Sequence, residues 1–549
     1  MRRSLGRPLG RPLGRIVTLW RPHFARLLFG AAASLAALAA ALLLLGASGA
    51  RLGLGAVVAS LFVLRFAGVA RVLLRYGERL ATHDAMFRAL ADVRVWFFAG
   101  LVRLGGGGIG MGRTGDLLAR LVGDVEALDG LYLRILIPLA GLLVLIPVVA
   151  VVGFGVSPGI GVVAGVLVVV AGMALPMVAA SRARVAGRAV AIGRAGLRTA
   201  ALDTLTGLRE VRAFGADGRM LALVQAREAE QHRAERVLAR RLAVFGGLAL
   251  LCGQLATVAV LSRLGQAPLG AVLVAVLVFA TAFETAGGLA RAGAAAGLVS
   301  ASAERLTQTA DQPSPLPDPI PAAAAPAGSA LRFEALRFGW DPRREPTLDG
   351  FSLSLPEGMH AALVGPSGSG KSTLAALALK VVAPAAGRVL LGGVDVVDLA
   401  AETVRARIGW LSQSSHLFDD TLRANLLLAR PDATEPLLWD ALAAAGVAEF
   451  VRGLPNGLES WLGEGGASVS GGQARRLVLA RALLSPAPVL LLDEPCAGLD
   501  AATERAFYAT LAEAARGRSV LLLVHRLTGA ERLERVWRLQ GGHAVAAAS

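Results

Sequence analysis

Apolar residues in this 549-residue chain gather in the first 300 positions, in long runs rather than in alternation. A helix that crosses a bilayer needs about 20 apolar residues, because the hydrocarbon layer is roughly 30 Å thick. Six runs approach that length: Leu27–Ala50, Leu52–Val69, Ile135–Val156, Gly159–Ala180, Leu242–Leu261 and Ala267–Leu289. Arg65 interrupts the second and Glu284 lies in the sixth. A secretory leader has one short apolar region near its start, so this pattern predicts six membrane-spanning helices instead.

The polar stretches have their own patterns. Val72–Leu104 and Ser181–Arg241 are rich in Ala, Leu, Arg and Glu and poor in breakers, which predicts helices continuing out of the membrane. Reversals near Gly105–Gly115 and Thr206–Gly218 would make two projecting hairpins. Gln312–Ala327 reads QPSPLPDPIPAAAAPA; proline fixes φ and lacks an amide donor, so an extended linker is expected. Beyond it, β-type runs (Arg332–Phe338, His360–Val364, Arg388–Leu391, Ile408–Ser412, Val489–Leu492, Ser519–Val524) alternate with helical stretches. That alternation predicts an α/β domain with a largely parallel sheet. The expected organisation is a basic N-terminus (1–26), a six-span α-helical membrane domain (27–305), a Pro/Ala-rich linker (306–330) and a C-terminal α/β phosphate-loop ATPase domain (331–549).

Composition narrows the picture. With 55% hydrophobic and 17% charged residues the chain is neither disordered nor suited to be wholly soluble. Two cysteines exclude a disulfide scaffold. A net charge of +16 suggests an anionic partner, but the placement of arginine accounts for it. Residues 1–26 hold seven arginines and no acid, and residues 71–134 and 181–241 are arginine-rich. The loops after the first, third and fifth runs hold only Arg51, no charge, and Arg263. Basic segments stay on the cytoplasmic side, so both termini are expected there. Aromatics are 5% of the chain, too few for a stacking platform, and no nucleic-acid partner is expected.

One segment carries clear chemistry. The strand-like His360–Val364 runs into Gly365, Pro366, Ser367, Gly368, Ser369, Gly370, Lys371 and Ser372, then into a helical run from Thr373. This is GxxxxGK[ST] in a strand–loop–helix context, the pattern of a phosphate-binding loop. Glycines let backbone amides approach phosphate oxygens, and a helix N-terminus adds positive potential. Lys371 is expected on the β- and γ-phosphates of ATP and Ser372 on Mg²⁺. The strand Val489–Leu492 ends in Asp493 and Glu494, placed to hold Mg²⁺ and to activate water.

Val469-Ser-Gly-Gly-Gln473 is similar to the signature segment of ABC ATPases, and other parts agree in order across residues 331–540. The resemblance implies that Trp340 stacks on adenine, that Gln413 senses Mg²⁺ and the attacking water, and that Asp500 lies in the D-loop. It also implies that His525 touches the γ-phosphate, and that Ser470, Gly471, Gly472 and Gln473 meet ATP on a partner's domain. Val469 departs from the usual leucine and Cys496 from the usual threonine. One ATPase domain and six spans would make half of a dimeric exporter.

In the membrane half, Arg75-Tyr-Gly-Glu-Arg79-Leu-Ala-Thr-His83-Asp84-Ala-Met-Phe-Arg88 resembles a segment of the CydC-type subunits of thiol exporters. Gly115–Arg134 and Ser460–Gly466 agree. This resemblance implies a bacterial inner membrane, a heterodimer with a CydD-type half-transporter, and export of cysteine and glutathione in support of cytochrome bd assembly. It implies haem b association too, with His83 as axial ligand and Arg79 near a propionate. Glu284, an acid within a span, is costly by about 2.5 kcal/mol or more unless paired or hydrated. It is expected either to line the cavity and meet a substrate ammonium or to pair with Arg65 or Arg291. Asp116 and Glu210 are candidates for docking the hairpin tips. Two other readings stay open: a homodimeric lipid or multidrug exporter, and a regulatory or haem-sensing membrane ATPase subunit.

Overall fold

The computed structural model describes residues 10–54, 61–109, 117–118, 120–341, 343–413, 416–463, 466, 468–496 and 501–546. The chain divides into two compact units: residues 1–103 with 111–312, and residues 104–110 with 313–549.

The first unit is helical. A short helix α1 (Gly10–Leu19) buries Ile16, and Trp20 just beyond it is buried too. Then come α2 (Phe24–Leu54) and the 49-residue α3 (Leu61–Ile109). A π-helical stretch, Leu131–Leu136, leads into α4 (Ile137–Phe154). Next, α5 (Pro158–Val169) continues through a π-turn into α6 (Leu175–Thr206). The tip helix α7 (Leu208–Ala213), α8 (Asp217–Leu261) and α9 (Leu269–Ala310) complete the unit. The second hairpin reverses at Gly207–Gly215, where Gly215 takes φ +59°, inside the expected window. Glu210 is exposed on that tip helix, whereas Asp116 lies outside the described residues.

The expected second span needs correction. Leu52–Leu54 belong to the end of α2, residues 55–60 lie outside the described residues, and α3 begins at Leu61. Among the described residues five helical stretches are long and apolar enough to cross a membrane: Arg21–Gly53, Arg120–Phe154, Pro158–Arg182, Asp217–Leu261 and Leu269–Leu289. α3 is not one of them, because Arg65, Arg71 and Arg75 dilute its apolar stretch. Its Phe62, Phe66, Val69, Val72 and Leu73 are nevertheless exposed. The last helix also runs on to Ala310, five residues into the expected linker.

Small residues bring α2 and α9 together. Gly49 and Gly53 are four apart and so share a face. A Cβ on Gly53 would sit 2.2 Å from Gly270 Cα, and one on Gly49 would sit 2.7 Å from Val274 Cα. In lipid, packing rather than hydrophobicity drives helix association, and glycine permits this approach.

The second unit holds two sheets. A six-stranded sheet has the order β10-β9-β3-β8-β7-β6, where β3 is His360–Val364, β6 Ile408–Leu411, β7 Val489–Asp493, β8 Ser519–Val524, β9 Arg535–Gln540 and β10 His543–Ala546. All its pairings are parallel except β9 with β10. The second sheet is antiparallel, β2-β1-β4-β5, from Leu331–Phe338 (β1), Leu348–Leu355 (β2), Ala386–Leu391 (β4) and Val394–Asp395 (β5). β1 and β4 fall on the expected runs Arg332–Phe338 and Arg388–Leu391, but their antiparallel sheet, with β2 and β5, and the β9–β10 ribbon were not expected, since those added strands are short or carry polar residues. Strands β7 and β8 are buried throughout, as central parallel strands covered on both faces must be. Leu490 and Leu492 enter one core and Val489 and Leu491 the other. The proline-rich segment has no regular structure but is tied down: Lys380 Nζ donates to Asp318 Oδ1 at 3.0 Å and to the Leu399 carbonyl at 2.6 Å.

Gly53→Ala should therefore lower the stability of the membrane unit by about 1–3 kcal/mol, the usual cost of overpacking. Gly68→Ala, with nothing within 4 Å of the added methyl, should be neutral or slightly stabilising. Thermal midpoints of the two variants in detergent check this contrast.

Candidate functional site

The parallel register assembles the nucleotide site. Val364 pairs with Val524 and Asp493 with Leu523, so the C-terminal ends of β3, β7 and β8 form one row. Ligands bind α/β sheets beyond those ends. From β3 the chain turns through Gly368 (φ +77°) and Gly370 (φ +111°) into α10 (Lys371–Ala378). Any side chain would be strained at those angles, and a Cβ at Gly370 would meet Thr347 Cγ2 at 2.9 Å.

Lys371 is buried, and its ammonium donates to the carbonyls of Gly365 at 2.7 Å and Pro366 at 2.9 Å. Burial lowers its pKa, against the opposing pull of Glu494 and Asp493. The lysine thus folds back on its own loop, in reach of any phosphate cradled there. Ser372 Oγ donates to Asp493 Oδ2 at 2.6 Å. Asp493 is buried, burial raises its pKa, and its Oδ1 has no hydrogen-bond partner among the described residues. A hydroxyl and a carboxylate with a spare buried oxygen are hard donors that fit Mg²⁺, which usually takes one or two protein ligands plus phosphate and water. No cluster of three or more His, Cys, Asp or Glu exists among the described residues, as such a site would not need one.

Glu494 adopts φ +50°, a left-handed conformation that costs a non-glycine residue on the order of 1–2 kcal/mol. The strain turns its carboxylate between two partners. Gln413 Nε2 donates to Oε2 at 3.3 Å, and His525 Nε2 lies 2.5 Å from Oε1. Three residues drawn from the ends of β6, β7 and β8 thereby meet at one carboxylate. Such a carboxylate can orient or deprotonate a water at the site.

Trp340 Nε1 donates to Thr373 Oγ1 at 3.0 Å, which places an exposed indole beside the start of α10. Ser470 caps helix α11 (Gly471–Leu484) reciprocally: Ser470 N donates to Gln473 Oε1 at 2.9 Å and Gln473 N to Ser470 Oγ at 3.3 Å. Ser470 and Gly471 are exposed, and among the described residues no hydrogen bond links residues 470–473 to the phosphate loop. Asp500 lies outside the described residues. Cys496 is buried beside Tyr508, and burial pushes its thiol up to about 12, so it is a packing residue rather than a reactive one.

Sequence reasoning missed Arg475. This buried guanidinium donates to the carbonyls of Ser412 at 2.6 Å, Gln413 at 2.9 Å and Glu494 at 2.7 Å, and also to Asp493 O. It binds the end of β6 to the end of β7 and so fixes the distance between Gln413 and Glu494. The only sequence signal is an arginine two residues after Gln473, on a helix with another arginine at 476.

The first unit contains a cavity of about 710 Å³ between α2, α3, α4 and α9. Glu284 lines it, together with Arg71, Arg75, Glu78 and Arg134. Glu284 makes no ion pair with Arg65 among the described contacts, and the Arg291 side chain lies outside the described residues. His83 and Arg79 do not line the cavity. His83 Nδ1 is 2.9 Å from the Arg79 carbonyl, which can only accept, so Nδ1 is the donor in this contact.

Comparisons with known proteins agree with this architecture. Residues 27–285 match the ABC transporter transmembrane region family and residues 348–497 the ABC transporter family. The chain is 33% identical to the glutathione/L-cysteine transport system ATP-binding/permease protein CydC of Escherichia coli (strain K12), over 88% of this chain and 85% of that one. It is 43% identical to the ATP-dependent lipid A-core flippase of Chromobacterium violaceum, but over 39% of this chain and 37% of that one. It is 42% identical to the mycobactin import protein IrtB of Mycolicibacterium thermoresistibile, over 40% and 38%. A bacterial Atm1-family ABC exporter with ATP bound shares the fold, with a TM-score of 0.82 at 24% identity over 97% of this chain and 94% of that one. The chain belongs to the ABC transporter family, as an ATP-hydrolysing integral membrane protein of CydC type.

Proposed function

We propose that the chain is one half of a heterodimeric exporter that uses ATP to move cysteine and glutathione-type thiols across the bacterial inner membrane, in support of cytochrome assembly. The observation that carries this is the likeness to CydC across both units, where the flippase and importer likenesses cover about two fifths of the chain. Both termini face the cytoplasm in this reading, and a CydD-type chain supplies the second half.

In the ATPase domain, residues 365–373 and Trp340 bind ATP, with Lys371 on the β- and γ-phosphates. Ser372, Asp493 and Gln413 hold Mg²⁺, which neutralises phosphate charge when bound. Glu494 activates water, and His525 and Gln413 orient it. Ser470 and Gly471, which are exposed, engage ATP on the partner together with Gly472 and Gln473, and Asp500 belongs to that interface. In the membrane domain, Glu284 receives the substrate ammonium.

Reconstitution with the partner half tests this directly. Labelled glutathione or cysteine should enter inside-out vesicles only with ATP. Lys371→Ala and Glu494→Gln should each lower ATP hydrolysis by about 100-fold or more. Hydrolysis stimulated by lipid A-type lipid but not by thiols would overturn the assignment.

Asp493 yields a second expectation. Burial raises its pKa, so its charge works against the fold once pH rises above the ordinary carboxylate range. Asp493→Asn should therefore raise the thermal midpoint of the nucleotide-free protein at pH 7 while abolishing Mg²⁺-dependent hydrolysis. A lowered midpoint with hydrolysis retained would contradict this role.

Haem association also belongs to this reading, since the His83 contact with the Arg79 carbonyl engages Nδ1 and not Nε2. An iron porphyrin would supply a redox-active centre there. His83→Ala should remove the Soret band of the purified complex while leaving its ATPase unchanged. A retained band would exclude His83 as ligand.

A further inference from the structure

The cavity of the membrane unit carries a charge pattern that a thiol alone does not explain. Arg71, Arg75 and Glu78 lie at i, i+4 and i+7 of α3 and so present one face to it. Arg134 comes from the π-helical stretch before α4, and Glu284 from α9. Arg75 and Glu78 neutralise each other, with Nε 3.8 Å from Oε2. Arg71, Arg134 and Glu284 have no ion-pair partner among the described residues. Two cations and one anion are thus left to be matched by whatever fills the cavity.

We propose that this cavity recognises a small zwitterion with two carboxylates and one ammonium, Arg71 and Arg134 each holding a carboxylate and Glu284 the ammonium. A guanidinium forks onto a carboxylate with two parallel hydrogen bonds, which gives geometry as well as strength. A γ-glutamyl tripeptide such as glutathione has this inventory, with a net charge of about −1 at neutral pH from its ordinary group pKa values. Free cysteine, with one group of each sign, leaves an arginine unmatched, and a site built for a polar group discriminates against ligands that lack it. The cavity volume of about 710 Å³ lies within the roughly 300–1,000 Å³ typical of small-molecule sites. The inference rests on the transport reading above for the role of the cavity, and it ranks the tripeptide over the amino acid as substrate.

Calorimetric titration of the two-chain transporter in nanodiscs, without ATP, tests it. The probes are glutathione, S-methylglutathione and glutathione diethyl ester, whose carboxylates are capped. Glutathione and its S-methyl form should bind alike, and the diester about tenfold more weakly or worse. Arg71→Gln and Arg134→Gln should each weaken glutathione by about tenfold and leave the diester unchanged, which also shows the variants to be folded. Glu284→Gln should weaken all three probes. Wild-type protein that binds diester and glutathione equally, or binds neither, overturns the proposal without recourse to any variant. If S-methylglutathione binds as tightly as glutathione while vesicles accumulate no thiol with ATP, the charge assignment stands and the export reading fails.

Discussion

Asp493 and Glu494 put two adjacent carboxylates at the end of a fully buried strand, beside a loop built to receive a polyanion. Like charges so placed repel each other and the ligand unless the protein supplies cations and donors nearby. Lys371 and Arg475 are the buried cations at this place, and each is held by backbone carbonyls rather than by a carboxylate. The arrangement leaves the acids available for metal and water. Arg475 does a second job, since its carbonyl contacts tie the Gln413 segment to β7. The strained φ of Glu494 is retained because the parallel ladder on one side and this guanidinium on the other over-determine it.

The membrane unit obeys a different constraint. Where helices have little hydrophobic incentive to associate, shape decides contact, and Gly49, Gly53 and Gly270 bring two backbones close. Farther along the same helices the small and polar residues Ser34, Thr281, Thr285 and Gly288 line the cavity. Two of the arginines that weaken α3 as a spanning helix, Arg71 and Arg75, also line this cavity.

Ionic contacts outside these sites look structural. Asp124 takes Arg305 Nε at 2.8 Å and Ser302 Oγ at 3.0 Å, contacts that fasten the π-helical stretch Arg120–Asp124 to α9. Lys380, buried with φ +53°, pins the proline-rich segment through Asp318. That segment has no regular structure, yet it is not a free tether.

The phosphate loop was legible in the chain because it is a local pattern, a motif bounded by a strand and a helix, and Asp493 and Glu494 because they end a run of apolar strand residues; His525 was placed only by the resemblance to ABC ATPases. Long apolar runs, which are local patterns too, declared the membrane helices. Arg475 was not legible, because its carbonyl partners lie as far away as residues 412 and 494. Nor were the antiparallel pairing of β1 and β4, the strands β2 and β5 beside them, or the β9–β10 ribbon, whose stability comes from cross-strand neighbours rather than from their own residues. The cavity charges were visible singly, but which were paired and which left over depended on four helices meeting, and no local pattern encodes a sum over distant side chains.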